Sequence, residues 1–124
     1  MAIRELEKRE WRSFLDALSN LLDAKVAEVE IAGLHLGNQT QAQWLPLLGI
    51  TYDPHDDVLE IALEGLDHLI NKPRQIQLDN GGAELAGLEI VDADGVRHIV
   101  KLKDQLALPP PQPERGGKNA SPAS

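Results

Sequence analysis

Residues 44 to 63, Trp44-Leu-Pro-Leu-Leu-Gly-Ile-Thr-Tyr-Asp-Pro-His-Asp-Asp-Val-Leu-Glu-Ile-Ala-Leu63, read as two strands joined by a turn. Leu48, Ile50 and Tyr52 share one parity, and Leu59, Ile61 and Leu63 share another. Side chains alternate between the faces of a strand, so both sets reach one face only if paired positions sum to an odd number. Pairing Tyr52 with Asp57 and Ile50 with Leu59 meets that condition and leaves Asp53-Pro54-His55-Asp56 as the loop. Pro54 directly after Asp53 suits a type I turn.

The same parity test applies to the C-terminal hairpin. Leu88 and Ile90 match His98, Val100 and Leu102 only in an even-sum register, which a loop Ala93-Asp94-Gly95 with left-handed Gly95 provides. Between the hairpins, Leu66 to Ile70 reads equally as a helical turn or a strand. Pro73 precedes a short strand with Ile76 and Leu78 inward, and Asn80-Gly-Gly82 marks a turn. Upstream, Ala27, Val29 and Ile31 alternate with Glu28 and Glu30 as a strand with one wet face. Residues 4 to 23 carry an apolar stripe at Leu6, Trp11, Phe14, Leu15, Leu18, Leu21 and Leu22, which predicts an amphipathic helix covering one side of the sheet.

These elements predict an α+β fold: an N-terminal amphipathic helix packed on a strongly bent antiparallel sheet or small barrel of five to six strands, Sm-like in layout by architectural analogy. Residues 1–105 form the single expected domain, with a modest core that buries about 60 to 65% of its unfolded surface. From residue 106 to 124 the chain turns to Pro, Gly and Ser without periodicity and is expected to be disordered. Pro110 and Pro113 have a PxxP spacing, which a solvated tail explains without a partner.

Composition narrows the function classes. The 124 residues include no cysteine, which excludes disulfides and thiolate metal or redox sites. Only four aromatic residues, Trp11, Phe14, Trp44 and Tyr52, are available as stacking platforms. Between Val26 and Asp94 thirteen acidic residues face two basic ones, Lys72 and Arg74, a balance of −11 inside a chain whose net charge is −8. Such an acidic belt repels phosphate backbones, so nucleic acid is not an expected partner. The charged N-terminus lacks the apolar run and cleavage site of a signal peptide, and no apolar stretch approaches the ~20 residues of a membrane span. The expectation is a cytoplasmic protein with no membrane association.

Three segments together resemble a known family. They are Arg-Glu-x-x-x-x-Glu-Trp-x-x-Phe-Leu-Asp-x-Leu-Ser over Arg4 to Ser19, Leu-Pro-Leu-x-Gly-Ile-x-Tyr-Asp-Pro-x-Asp-Asp over Leu45 to Asp57, and His-Leu-Ile-x-x-Pro from His68 to Pro73. The chain resembles a bacterial family of small proteins known as a domain of unknown function, over the domain but not the tail. The Leu45 to Asp57 motif is the most specific part. The resemblance implies a bacterial cytosolic setting and brings no activity, cofactor or catalytic residue.

The best candidate for chemistry is the acidic turn. Asp53, His55, Asp56 and Asp57, joined by His68 or His35 from elsewhere, could hold a metal ion or act as acid and base. A tight turn, however, calls for Asp and Pro on its own account, and the four histidines, His35, His55, His68 and His98, lack the spacing that puts two imidazoles on one helix face. His98 falls on the apolar parity of its strand and reads as a satisfied core or rim histidine. Asp92-x-Asp94-Gly95 lacks the ligand spacing of a calcium loop, and no Ser or Gly-rich segment has a catalytic or phosphate-binding setting. No cofactor is expected.

The reading favours a non-enzymatic interaction or assembly module, the alternative being a small-ligand-binding or metal-dependent enzyme that uses the Asp53–Asp57 loop. Leu45 and Leu47 oppose the parity of Trp44, Leu48 and Ile50, and Pro46 lacks a ladder donor. Trp44, Leu45, Pro46 and Leu47 are therefore the candidate interaction surface of a homo-oligomer.

Overall fold

A computed structural model describes residues 2–22, 25–33, 37–81 and 84–104. Its elements are β1 (Ala2–Leu6), a 3-10 turn (Lys8–Glu10), α1 (Trp11–Ser19), β2 (Lys25–Gly33), β3 (Gly37–Asp53), β4 (Val58–Leu63), β5 (Leu66–Asn71), β6 (Pro73–Gly81), β7 (Glu84–Asp92) and β8 (Arg97–Asp104). The strands form one antiparallel sheet in the order β1-β6-β7-β8-β2-β3-β4-β5. Among the described residues it is open, with β1 and β5 as its edges. This overturns the expected α+β barrel or bent sheet of five to six strands: among the described residues the sheet has eight strands, and α-helix is confined to the nine residues Trp11–Ser19.

Two segments account for most of that difference. The expected helix over residues 4 to 23 shrinks to Trp11–Ser19, because Ala2–Leu6 pairs with β6, from Ala2 opposite Asn80 to Leu6 opposite Ile76. The five-residue step from Leu6 to Trp11 already breaks the helical period. The ambiguous Leu66 to Ile70 stretch is a strand, joined to β4 through the turn at Glu64 and Gly65, whose φ is +84°.

β3 organises the sheet. Its N-terminal part pairs with β2, from Gly37 opposite Gly33 to Pro46 opposite Val26, and its C-terminal part pairs with β4, from Leu47 opposite Leu63 to Asp53 opposite Val58. The ladder is irregular on both sides of this exchange. Trp44 takes a left-handed backbone, φ 51°, inside the shift between the Ala27 and Val29 pairs. A second shift between Leu47 and Gly49 expels Leu48, which is 66% exposed. Each bulge inserts a residue and reverses the alternation, so Leu47 and Ile50 both point inward.

The sheet thereby folds over into two leaves, β1-β6-β7-β8-β2 with the first part of β3, and the rest of β3 with β4 and β5. His68 of β5 touches His98 of β8, and Ala93 donates to the Lys72 carbonyl at 2.9 Å, although β5 and β8 are far apart in the strand order. Between the leaves lies one core, built from residues such as Val29, Ile50, Leu59, Ile61, Ile76, Ile90 and Val100, with Trp11, Leu15 and Leu18 of α1. Phe14, an expected core residue, is only half-buried at its margin. The Ser19 hydroxyl donates to the Ile50 carbonyl at 2.8 Å and accepts from the Ile50 amide at 3.0 Å. One side chain so occupies the flank of β3 that β2 has left.

The hairpin registers follow the parity argument. Ile50 faces Ile61 and Tyr52 faces Leu59, an odd sum with each partner two residues beyond the expected one, so the loop is Pro54 to Asp57. Ile90 faces His98 in an even sum, with Gly95 at φ 81°. Ile76 and Leu78 are buried as expected. The expected disordered tail, 106–124, lies outside the described residues, as do His35 and Gly82.

Candidate functional site

The acidic turn uses its polar groups internally. Asp53 Oδ1 accepts from the amides of His55 and Asp56 at 2.9 and 3.4 Å, the bonding that makes Asp a turn residue. Asp57 stands at φ 55°, accepts the Tyr52 hydroxyl on Oδ1 at 2.8 Å, and receives the Lys72 amide on its carbonyl at 2.8 Å. Burial, the hydrogen bond to Asp57 and the charges of Asp57 and Asp53 push the Tyr52 phenol up to about 12, against a smaller opposing pull from Arg74. The phenol therefore stays a donor. His55 reaches no closer than 4.0 Å to Asp56, and both side chains are exposed. A groove lined by Arg12, Asp16, Thr51, Tyr52, Asp53 and His55 runs between α1 and this turn.

His68, the proposed distant member of that site, does not join it. Its Nε2 lies 2.9 Å from His98 Nδ1, and His98 Nε2 lies 3.0 Å from Asp92 Oδ2. Asp92 Oδ1 meanwhile accepts the amides of Asp94 and Val96 at 2.9 and 3.0 Å. Burial opposes ionisation of Asp92, but the bonds from His98, Val96 and Asp94 outweigh it and hold its carboxyl below the usual range. An ionised carboxylate only accepts, so His98 Nε2 is the donor to Asp92, and the 2.9 Å contact between His98 Nδ1 and His68 Nε2 extends the chain to β5. His98 is 7% exposed, a satisfied core histidine as its parity implied. Its bond to His68 was not legible, because it joins positions 30 residues apart across two leaves. Among the described residues no group of three or more His, Cys, Asp or Glu is placed to hold a metal ion.

The bridge makes stability depend on pH. Burial, and then the charge of His98, lower the His68 pKa to about 4 from the ordinary 6.5. In that interval the unfolded chain binds more protons than the folded one, so the contribution is complete above about pH 6.5 and is lost as the pH falls towards 4. After allowance for the partly exposed ring, the expected loss is about 2 kcal/mol. Urea unfolding at several pH values checks this, and His68→Phe should flatten the profile across the interval.

Trp44, Leu45, Pro46 and Leu47 form the junction of the two leaves. Leu47 is 6% exposed, Leu45 packs against the core, the Pro46 carbonyl accepts the Glu64 amide at 3.0 Å, and Lys103 Nζ stands 3.9 Å over the Trp44 ring. Exposed apolar side chains occur nearby on the second leaf instead: Leu48, Leu66 and Leu69, at 66, 37 and 55%. Leu69 lies on β5, the edge strand. The backbone there alternates: in the two-residue hairpin the closing pair Leu63 and Leu66 exchanges hydrogen bonds, as do Ile61 with His68 and Leu59 with Ile70. The amides and carbonyls of Asp67, Leu69 and Asn71 consequently point away from β4.

Comparison with known proteins gives two matches. A family of unknown function (DUF5335) matches residues 2–111. An uncharacterized protein of Aquifex aeolicus (strain VF5) is 36% identical over 110 residues, covering 88% of this chain and 99% of its own length. No solved structure matches.

Proposed function

Since the chain belongs to the DUF5335 family of unknown function, we propose from its own surface that it is a non-enzymatic interaction module that takes an added strand on β5. The open row of Asp67, Leu69 and Asn71 carries this reading. Edge strands present unpaired donors and acceptors as a template for another chain, and proteins blunt them with Pro, bulges, Lys or inward charges. β5, Leu-Asp-His-Leu-Ile-Asn, has none of these within its length. Its inner face is anchored by Ile70, 1% exposed, and by the His68–His98 bond, so the edge is held ready before anything binds. Leu48, Leu66 and Leu69 add apolar surface on the same leaf.

An extended peptide of alternating Thr and Val tests the edge without presuming a partner. Titrated into the protein, it should shift the amide resonances of Asp67, Leu69 and Asn71 and slow their hydrogen exchange; shifts that spare β5 would overturn the proposal. The metal-dependent alternative at the acidic turn has its own test. Calorimetric titration with Zn²⁺, Mn²⁺ and Ca²⁺ should reveal nothing tighter than about millimolar, as surface carboxylates committed to a turn bind weakly. Micromolar binding lost in an Asp53→Asn, Asp56→Asn double variant would favour the enzyme reading instead.

A further inference from the structure

We infer that the strand added to β5 is β5 of a second copy, paired antiparallel about a twofold axis at Leu69, so that two eight-stranded sheets become one continuous sheet. The inference rests on the reading of β5 as an interaction edge and names its partner. It comes from asking which symmetric registers the backbone and the side chains allow.

In a twofold antiparallel pair, opposed positions have a constant sum. Asp67, Leu69 and Asn71 offer their backbone groups outward, whereas Leu66, His68 and Ile70 spend theirs on β4. Odd sums set an outward residue against an inward one, Leu69 against His68 for instance, and make no ladder. Among even sums, the register that centres on Ile70 puts Asp67 opposite Pro73, which has no amide to donate. The register that centres on His68 puts Asp67 of each copy against Leu69 of the other. Centring on Leu69 removes both faults: Leu69 meets Leu69, and Asp67 meets Asn71 twice.

That last register is complementary in every layer. Leu69 loses its 55% exposure against an identical side chain. The carboxylate of Asp67 can accept from the amide of Asn71, so no like charges meet across the pair despite the acidity of the chain. The three outward residues of each copy all find partners, giving six main-chain hydrogen bonds. The opposite edge, β1, reads Ala-Ile-Arg-Glu-Leu and carries charge at consecutive positions, Arg4 and Glu5, of the kind that discourages edge pairing. The asymmetry selects an isologous dimer through β5 over an open chain of sheets.

The absence of cysteine from the chain makes a single introduced thiol diagnostic. Facing residues of a hydrogen-bonded antiparallel pair have Cα atoms about 5.5 Å apart, within disulfide range. Leu69→Cys should therefore give a disulfide-linked dimer on mild oxidation, and Ile3→Cys, on β1, should not. Light scattering from about 10 to 500 µM should show the wild type shifting to dimer mass, because association follows mass action. Leu69→Lys, which sets two ammonium groups face to face at an exposed position, should raise the dimer dissociation constant at least about tenfold with an unchanged circular dichroism spectrum. A wild type that stays monomeric throughout overturns the inference, as does a dimer that persists in Leu69→Lys or that Ile3→Cys captures in place of Leu69→Cys. If the Thr-Val peptide still perturbs β5 in a monomeric wild type, only the partner falls; if it does not, the edge reading falls too.

Discussion

Replacing Trp11 with alanine is expected to lower the unfolding free energy by about 3 to 5 kcal/mol, a large fraction of what a domain of this size possesses. The side chain is 1% exposed and is the largest in the core. Its ring meets Tyr52 edge-on, with centroids 5.2 Å apart and planes at 83°, an arrangement that adds to simple burial. Its indole Nε1–H donates to the Leu6 carbonyl at 3.2 Å and ties α1 back to the end of β1. Urea unfolding of Trp11→Ala measures the sum. Trp11→Phe keeps the ring contact and drops the donor, so it should cost about 1 to 2 kcal/mol. Equal losses in the two variants would mean that the indole bond, rather than the packing, sets the cost.

The second large effect is expected at Gly87. A Cβ placed there would lie 2.3 Å from the Val100 carbonyl oxygen, a backbone atom of β8 in the interior of the sheet. Side chains can turn away from a clash, but a ladder strand cannot withdraw without losing its own pairing. β8 is held on both sides, by β7 and β2. Gly87→Ala should therefore cost about 3 kcal/mol. Gly65→Ala is a useful contrast, since nothing lies within 4 Å of its Cβ position and the cost there arises only from its φ of +84°. Its smaller loss, about 1 kcal/mol, would separate backbone strain from collision.

What was legible in the sequence was local. Period-two alternation revealed β2, turn chemistry revealed both hairpins, and parity fixed the sense of their registers, because these signals involve residues a few positions apart. The N-terminal strand was not legible: Ala2–Leu6 is held by β6, and its pairing partners lie at least seventy positions downstream. Trp44 escaped for another reason. A bulky residue at φ 51° has no compositional mark, and the parity argument assumes an unbroken alternation that two bulges interrupt. The same interruption moved Leu47 from the expected outer surface to the core and Leu48 from the core to the outside. At the acidic turn, the reading of Asp53 and Pro54 as turn formers needed only neighbours. The link from His68 through His98 to Asp92 needed the finished sheet.

The pairing of β2 also sets a timetable for the growing chain. β3, β4 and β5 follow one another with short turns, as do β6, β7 and β8, so each set can form while its own residues are close together. β2 joins the two sets, and one of its neighbours, β8, is the last of the described strands to be synthesised, with Lys25 waiting for Asp104. Until then the hydrogen-bonding groups that β2 offers to β8 remain without their ladder partner. Long-range closure of this kind slows folding, and the interval in which β2 and β5 are both open edges is when a nascent chain is most exposed to pairing with the wrong neighbour.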